Sequence, residues 1–225
     1  MLTEGGRAAA LVLFGPPGSG KGTQAKLLRE CLQVPHVSTG DMLREHIQAG
    51  DALGLEVRTV MRAGRLVPDE LVNRLVDERL SRPDCRGGLI LDGYPRTIAQ
   101  ARTLPPLLEA HGLGQLVVHL KVDYNKVVAR LSGRRQCPLC GTLYSLASQP
   151  PKVAGVCDRD GAALIVREDD RESVIRERLQ EYERLTRPVL DYFAGSGVRF
   201  LEVDASDDPP PSILREICGL IGNGR

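Results

Sequence analysis

A glycine-rich segment near the N-terminus constrains the fold of this chain more than any other feature. An apolar run over residues 10–14 leads directly into the sequence Gly15-Pro16-Pro17-Gly18-Ser19-Gly20-Lys21-Gly22-Thr23. A short apolar run bounded by turn residues is typical of a strand that is buried on both faces, as in a parallel sheet. Residues 21–30 then have the apolar spacing of a helix. The order of strand, glycine loop and helix is that of a phosphate-binding loop.

The glycine loop predicts a binding site for a polyphosphate. Glycines let successive backbone N–H groups point towards one centre, and the N-terminus of the following helix adds partial positive charge. Lys21 is expected to lie against the β- and γ-phosphates. In the general pattern Ser or Thr follows the lysine directly, whereas here Gly22 separates Lys21 from Thr23. The alternative is a plain glycine turn between strand and helix, with the lysine in solvent.

The rest of the chain alternates between apolar runs and helical stretches. Further apolar runs lie at residues 88–92, 115–122 and 198–203, each ending at or just before an aspartate. These runs, with helices between them, predict an α/β fold with a central parallel sheet. The apolar spacing also predicts a helix from Glu172 to Asp191. A length of 225 residues suits one main domain with insertions.

Two segments interrupt this alternation. Residues 38–67 are polar and helical, and residues 133–170 are rich in turns and contain clustered cysteines. We expect the first to form a helical flap and the second a small lid. The core domain would then consist of residues 1–37, 68–132 and 171–225.

The composition excludes several classes of protein. Hydrophobic residues make up 42% and charged residues 26%, which is ordinary for a soluble globular protein. A net charge of +1 and an aromatic content of 4% disfavour a nucleic-acid partner. No window approaches the roughly 18 apolar residues of a membrane span, and the first apolar run continues into the glycine turn without a cleavage pattern. We therefore expect a cytoplasmic protein that binds neither membrane nor nucleic acid.

The cysteines fall into two groups. Three lie in one region, namely Cys137, Cys140 and Cys157. The other three lie alone, namely Cys31, Cys85 and Cys218. In a reducing cytosol the first group is better interpreted as metal ligands and the second as buried thiols, and neither as a disulfide framework.

The clustered cysteines have the spacing of a structural zinc site. Cys137-Pro-Leu-Cys140 and Cys157-Asp-Arg-Asp160 form two knuckles, with Asp160 as the fourth ligand of a tetrahedral ion. Four protein ligands leave no position for a water molecule, so the ion would stabilise the lid and take no part in chemistry. Two alternatives stay open, in which Asp158 replaces Asp160 or the thiols bind no metal.

The form of the glycine loop, with Gly22 after the lysine, resembles that of the nucleoside monophosphate kinases and most of all the adenylate kinases. The resemblance extends over roughly residues 10–206 and implies a P-loop three-layer α/β fold with an AMP-binding flap and a zinc-bearing lid. It further implies that ATP binds together with Mg²⁺. The residues implied to bind ATP are Gly15, Gly18, Ser19, Gly20, Lys21, Gly22, Thr23, Arg130, Arg134, Leu143, Tyr144 and Ser206.

Two further motifs resemble the AMP site of adenylate kinases. They are Ser38-Thr39-Gly40-Asp41-Met42-Leu43-Arg44 and Leu91-Asp92-Gly93-Tyr94-Pro95-Arg96-Thr97, in which the family has Phe where this chain has Tyr94. The residues implied to bind AMP are Thr39, Arg44, Arg65, Leu66, Val67, Gly93, Tyr94, Pro95, Arg96, Gln100, Arg167 and Arg178. Within this set Arg96 would clamp the phosphate and Gln100 would contact the adenine. Thr39 could instead be a helix N-cap.

A phosphoryl group in transfer is metaphosphate-like, so its charge must be matched by cations. The catalytic set implied by the resemblance is Lys21, Asp92, Arg96, Arg134, Arg167 and Arg178. Asp92 would hold the water molecules around Mg²⁺, although a strand-end carboxylate can also cap the next turn. Asp169 and Asp170 are expected to orient the lid arginines. The histidines show no regular mutual spacing and no recognisable carboxylate partner in the sequence. We therefore interpret all four as structural residues, namely His36, His46, His111 and His119.

These expectations define one reaction and two rivals. We predict that a monomer converts ATP and AMP reversibly into two molecules of ADP with Mg²⁺. The nearest rival is another nucleoside monophosphate kinase, acting on CMP, UMP or GMP. A rival of a different class is a zinc-knuckle nucleic-acid-binding protein that uses the phosphate loop as a switch.

Overall fold

A mostly parallel sheet carries the glycine loop on its central strand in the computed structural model, which describes residues 2–147 and 149–222. The strands of the chain are β1 (Thr3–Glu4), β2 (Arg7–Phe14), β3 (His36–Ser38), β4 (Leu89–Asp92), β5 (Gly114–Lys121), β6 (Arg134–Gln136), β7 (Leu143–Ser145) and β8 (Arg199–Asp204). The parallel order is β3-β4-β2-β5-β8, and β1 pairs antiparallel with β2. The predicted α/β class with a central parallel sheet is confirmed.

Helices cover both faces of this sheet. They are α1 (Lys21–Leu32), α2 (Thr39–Ala49), α3 (Ala52–Arg62), α4 (Asp69–Leu80), α5 (Ile98–Ala110), α6 (Tyr124–Ser132), α7 (Glu172–Glu181), α8 (Pro188–Gly195) and α9 (Pro210–Gly222). Short 3₁₀ turns lie at Pro83–Gly87 and Glu168–Asp170. Among the described residues, no helix is both long enough and apolar enough to cross a membrane.

The side chains of β2 show why the protein has three layers. Successive residues of a strand point to opposite faces, and Leu11 packs in one buried cluster while its neighbour Val12 packs in the other. The cluster that contains Val12 is completed by α4, α5 and α8, and the cluster that contains Leu11 is completed by α1 and α9. A strand that is buried on both sides explains the continuous apolar run over residues 10–14.

The carboxyl ends of three neighbouring strands meet at one edge of the sheet. Ser38 of β3 pairs with Asp92 of β4, and Asp92 pairs with Leu13 of β2. The glycine loop begins two residues after Leu13. Ligands bind outside the carboxyl ends of strands in open α/β sheets, so this edge positions the candidate site.

Residues 3–8, near the start of the chain, form a short hairpin. Thr3 pairs with Ala8 at the start of β2, and the Leu2 side chain packs beside Leu11 in the core. Burying an aliphatic side chain of this size stabilises the fold by about 1.5–3 kcal/mol.

Two insertions leave the sheet. The helices α2 and α3 lie between β3 and α4, and the antiparallel pair β6 and β7 lies between α6 and α7. They fall in the segments 38–67 and 133–170, where a flap and a lid are predicted. The division into flap, lid and core residues 1–37, 68–132 and 171–225 stays a prediction.

Several expectations about particular residues are wrong. The helix expected from Glu172 to Asp191 contains a π-helical turn at Tyr182–Thr186, where α7 passes into α8. Cys31 is exposed and Cys218 is half-buried, where both were expected to be buried, because they lie where α1 and α9 meet at the surface, with their Sγ atoms 3.8 Å apart. Cys85 is buried as expected.

The histidines also differ from expectation, since each has a carboxylate partner. The pairs are His36 with Asp92, His46 with Asp51, His111 with Asp77, and His119 with Glu202. Three of these pairs join residues far apart in sequence, which sequence spacing cannot reveal.

Candidate active site

A cleft of about 640 Å³ lies over the carboxyl edge of the sheet. Its walls come from the glycine loop, from α2 and the end of α3, from the turn after β4 and from the lid segment. The structure brings to this cleft all the predicted nucleotide-binding and catalytic residues except Tyr94, namely Gly15, Gly18, Ser19, Gly20, Lys21, Gly22, Thr23, Thr39, Arg44, Arg65, Leu66, Val67, Asp92, Gly93, Pro95, Arg96, Gln100, Arg130, Arg134, Leu143, Tyr144, Arg167, Arg178 and Ser206.

Tyr94 lies behind the wall of the cleft. Its side chain is buried in the core, where its hydroxyl donates a hydrogen bond of 2.7 Å to Asn73 Oδ1. Burial raises the pKa of this phenol. The side chain of Tyr94 therefore supports the turn after β4 from inside the protein, and it cannot contact a ligand in the cleft.

The glycine loop is tightly closed around the end of β2. Gly15 has φ of 146°, and a Cβ atom on it would lie 2.7 Å from the carbonyl oxygen of Leu120. Only glycine fits there without a shift of the backbone. The plain-turn alternative, with Lys21 in solvent, is wrong because the Lys21 Nζ atom donates to the carbonyl oxygens of Gly15 and Pro16 at 2.8 and 2.9 Å.

The electrostatic surroundings of Lys21 suit the binding of an anion. Burial of the ammonium, which disfavours its charged form, lowers its pKa to about 8. The positive charges of Arg96, Arg178 and Arg134 contribute to this lowering of the pKa, while Asp92 acts in the opposite direction. A phosphate beside Lys21 would supply the negative charge that this arrangement lacks.

Asp92 ends β4 and lies beside the glycine loop. A Cβ atom on Gly22 would lie 3.4 Å from Asp92 Oδ2. The same oxygen accepts a hydrogen bond from His36 Nε2 at 3.3 Å. None of the described hydrogen bonds joins the Asp92 carboxylate to the backbone of the following turn, so the alternative role as a turn cap is not supported. Burial opposes its ionisation, but the hydrogen bond from His36 and the charge of Lys21 outweigh burial and lower the pKa of Asp92.

Two arginines from different elements share one buried carboxylate. Arg134 Nε donates to Asp170 Oδ2 at 2.6 Å, and Arg178 Nη1 donates to Asp170 Oδ1 at 2.8 Å. Arg178 also lies 3.1 Å from Asp169 Oδ2. Asp170 thus contacts the lid arginine Arg134 as expected, whereas Asp169 pairs with Arg178 of α7, outside the lid segment.

The guanidinium groups in this part of the cleft are crowded. Burial, together with the nearby charges of Arg44 and Arg134, lowers the pKa of Arg167 to about 9. Burial likewise lowers the pKa of Arg96 to about 10, with Arg178 as the next cause. Each group keeps its proton at neutral pH, so the cleft presents a concentrated positive field to an anion.

The flap side of the cleft is organised by α2. Ser38 caps this helix by accepting a hydrogen bond from Asp41 N, whereas Thr39 Oγ1 donates to the carbonyl of Gly93 at 2.9 Å. The interpretation of Thr39 as the N-cap is therefore wrong. Burial opposes ionisation of Asp41, but the charge of Arg44 and its hydrogen bond outweigh burial and lower the pKa of Asp41 to about 2.

At the opposite end of the cleft, Arg130 contacts the loop after β8. Its Nη2 atom donates to the carbonyl oxygens of Ala205 and Ser206 at 2.8 and 2.9 Å. Arg130 therefore holds this loop against α6 and is not part of the arginine cluster around Asp170. Tyr144 lines the cleft nearby, yet its hydroxyl lies 3.4 Å from Cys157 Sγ and so also contacts the cysteine cluster.

The lid brings four potential metal ligands together. The Sγ atoms of Cys137, Cys140 and Cys157 and a carboxylate oxygen of Asp160 all lie within 4.8 Å of one another. Cys140 and Cys157 have their Sγ atoms 3.6 Å apart, close to the distance of about 3.8 Å between two thiolates on a tetrahedral zinc ion. The donor set and its spacing fit zinc.

The two halves of this cluster have the same backbone structure. Gly141 N donates to the carbonyl of Cys137, and Gly161 N donates to the carbonyl of Cys157, so each knuckle turns in the same way. Asp160 thereby occupies the place in the second knuckle that Cys140 occupies in the first. The alternative ligand Asp158 instead accepts a hydrogen bond from Lys152 N and lies outside the cluster.

Sequence reasoning missed several residues that shape the cleft. Asp69 contacts Gln100 from behind, and Thr186 Oγ1 donates to the carbonyl of Arg96 at 2.8 Å. His36 contacts Asp92, as described above. Their partners are distant in sequence, so only the fold reveals them.

Comparison with known proteins gives a single answer. The family profile described as adenylate kinase matches residues 13–198. The chain therefore belongs to the adenylate kinase family. A curated adenylate kinase from Thermosipho melanesiensis is 48% identical over 212 residues, covering 94% of this chain and 98% of the relative. Another, from Anaeromyxobacter dehalogenans, is 50% identical over 188 residues, which cover 83% of this chain and 88% of the relative.

A third adenylate kinase is equally similar. That of Methanocella arvoryzae is 51% identical over 183 residues, which cover 81% of this chain and 85% of the relative. Membership of the adenylate kinase family makes the chain an enzyme, a phosphotransferase that binds nucleotides. The resemblance drawn from the glycine loop and the two further motifs is confirmed.

Proposed function

We propose that this enzyme transfers the terminal phosphoryl group of ATP to AMP, giving two molecules of ADP. The observation that carries the proposal is the meeting of the phosphate loop, the arginine cluster and the Thr39 and Gln100 side chains in one cleft. Family membership supports the same reaction. Monomeric state and cytoplasmic location stay predictions.

The ATP phosphates would lie along the glycine loop. The backbone N–H groups at the start of α1 and the ammonium of Lys21 would bind them, because burial and the neighbouring arginines make an anion beside this ammonium favourable. Mg²⁺ supplies charge neutralisation between the β- and γ-phosphates when bound. Asp92 fits a role in holding its water shell, since its carboxylate is ionised and lies beside Gly22.

The arginines would hold the group in transfer and the acceptor phosphate. Arg134 and Arg178 are fixed by Asp170, so their donors are oriented before a ligand binds. Arg96 is fixed by its Nε donating to the carbonyl of Gly93 at 2.8 Å, which leaves its other donors available for a phosphate. The acceptor phosphate is already an anionic nucleophile, so no general base is required.

A coupled assay tests this reaction. ATP with Mg²⁺ is mixed with AMP, CMP, UMP or GMP in turn, and ADP formation is followed. We expect AMP to be used with the highest kcat/KM, and a variant Arg96→Lys to lose at least about tenfold, since lysine cannot make two parallel contacts to phosphate. Preference for another acceptor would transfer the assignment to a different nucleoside monophosphate kinase.

We also propose that the four clustered ligands bind a structural zinc ion. Cys137, Cys140, Cys157 and Asp160 supply three thiolates and one carboxylate, and Tyr144 and the N–H of Ala162 hydrogen-bond to these ligands. The lid has a small apolar core, so the free energy of metal binding becomes free energy of folding.

Elemental analysis after purification without chelator should give one zinc per chain. Removal of the ion should lower the melting temperature of the protein clearly, whereas the affinity of the glycine loop for ATP should change less. Cys140→Ser should reproduce the loss of zinc, while Cys85→Ser, which removes a thiol outside the cluster, should retain it. Full zinc content in the Cys140 variant would contradict this assignment.

A further inference from the structure

We propose that Asp69 is a positioning residue that sets the nucleobase preference of the acceptor site. It fixes the orientation of the Gln100 amide, and thereby favours a 6-aminopurine monophosphate over a 6-oxopurine monophosphate. The inference rests on the proposed function, because it takes AMP as the acceptor and Gln100 as the residue that contacts its base.

The Gln100 amide is held at both of its polar atoms. Gln100 lies in the first turn of α5, lines the cleft and is only 2% exposed. Its Nε2 atom donates to Asp69 Oδ1 at 2.8 Å, and its Oε1 atom accepts from Arg96 N at 2.7 Å. Turning the amide over would place its oxygen against a carboxylate and its NH₂ group against a backbone N–H. The two partners therefore permit one orientation.

The carboxylate is itself fixed. Asp69 is the first residue of α4, where the partial positive charge of the helix N-terminus favours an anion. Its second oxygen, Oδ2, accepts a hydrogen bond of 2.8 Å from Thr97 Oγ1. An ionised carboxylate only accepts hydrogen bonds, so the amide atom that faces it must be the donor.

These contacts leave the amide with one free N–H and one free lone pair. An amide nitrogen has two hydrogens and an amide oxygen has two lone pairs, and the protein uses one of each. Adenine offers an amino donor next to the N1 acceptor, which matches an acceptor and a donor in this fixed order. Hypoxanthine and guanine offer an oxygen acceptor next to an N1–H donor, which would need the reversed amide.

The cost of the wrong base follows from this geometry. With a 6-oxopurine, the Gln100 oxygen faces the oxygen of the base and the Gln100 N–H faces the N1–H of the base, unless the amide turns over. The turned amide places its oxygen against the Asp69 carboxylate. A site with fixed hydrogen-bonding groups rejects a ligand that leaves them unpaired. Asp69 thus acts on base preference without touching the base.

The test compares AMP with inosine monophosphate as acceptors of the full-length enzyme at saturating ATP and Mg²⁺. In Asp69→Asn the side chain can present either an oxygen or an NH₂ group, so of the two contacts that fix the Gln100 amide only the hydrogen bond from Arg96 N still opposes its turning over. We expect the ratio of kcat/KM for AMP to that for inosine monophosphate to fall about tenfold or more, the scale of one charge-assisted hydrogen bond.

Two further variants control for structural damage. Glu70→Gln removes the neighbouring exposed carboxylate from the same first turn of α4, and its ratio should equal that of the wild type. Asp69→Ser carries a hydroxyl that both donates and accepts, and serine is well tolerated at helix N-termini, so its ratio should fall as in Asp69→Asn. Asp69→Glu keeps a carboxylate that only accepts hydrogen bonds, so it should keep much of the wild-type preference for AMP.

The outcomes separate this inference from the proposed function. A wild-type enzyme that forms no ADP from ATP and AMP would refute the proposed function itself. An active wild type, together with folded Asp69→Asn and Asp69→Ser variants that keep the wild-type ratio, would overturn the role of Asp69 alone. Equal losses with both acceptors would count as an unchanged ratio and would show a merely structural residue.

Discussion

Replacement of Asp170 tests directly how the arginines of the cleft are held. This side chain is fully buried, and it accepts hydrogen bonds from Arg134 at 2.6 Å and Arg178 at 2.8 Å. Asp170→Asn keeps the shape of the side chain but removes its charge. It also replaces one acceptor oxygen with an NH₂ group that faces a guanidinium donor.

The magnitude follows from what remains around each arginine. Removing one partner of a buried ion pair costs about 3–5 kcal/mol. Asp169 Oδ2 stays 3.1 Å from Arg178 and compensates part of that loss. Arg134 has no second carboxylate within ion-pair distance among the described residues. We therefore expect a loss of about 3 kcal/mol, or a fall in melting temperature of about 6–12 °C.

Thermal and denaturant unfolding of Asp170→Asn and Glu168→Gln measures this loss. Glu168 lies in the same 3₁₀ turn and pairs with Arg62, but its side chain is 56% exposed, so its variant should lose less than about 1 kcal/mol. Tripolyphosphate should stabilise Asp170→Asn more than the wild type, because the unpaired guanidinium groups bind the anion more tightly. Equal stability of the two variants, or equal stabilisation by the polyphosphate, would refute the reasoning.

Two further predictions use other parts of the molecule. Because burial lowers the pKa of Lys21 to about 8 from 10.5, the unfolded chain binds more protons between these pH values, and stability should rise with pH there. Denaturant unfolding should show this rise in the wild type relative to Lys21→Met, and parallel pH profiles would contradict it. Oxidised glutathione should take two electrons and two protons from Cys31 and Cys218, whose Sγ atoms are 3.8 Å apart, giving one disulfide and two molecules of reduced glutathione. Mass spectrometry should find this link in the wild type, and a link formed equally well in Cys218→Ser would exclude the pair.

The parts of the site that the sequence predicts are those that local rules define. The glycine loop combines a turn that requires glycine and a helix N-terminus within nine consecutive residues, from Gly15 to Thr23, directly after the strand β2. Each knuckle of the cysteine cluster is likewise local, since Cys137 and Cys140 belong to one turn and Cys157 and Asp160 belong to another. In both cases the spacing of residue types along the chain is itself the geometry of the site.

The partners of charged residues were not predictable in this way. His36 meets Asp92 only because β3 lies beside β4, with Ser38 in register with Asp92. Asp69 meets Gln100 only because α4 packs near the start of α5. No local pattern of residues reveals the strand order β3-β4-β2-β5-β8, so contacts between neighbouring strands could not be predicted from the spacing of residues.

The electrostatics of the cleft explain why these unpredicted carboxylates matter. Burial and neighbouring cations lower the pKa of Lys21, Arg96 and Arg167, so their charged forms are destabilised while the cleft is empty. A bound polyphosphate removes this repulsion, which adds to its binding free energy. Asp169 and Asp170 limit the repulsion around Arg134 and Arg178, yet both lie in a 3₁₀ turn at the end of the lid segment. The order of the arginines therefore depends on the folding of that turn, and any change that unfolds it should weaken phosphate binding and stability together.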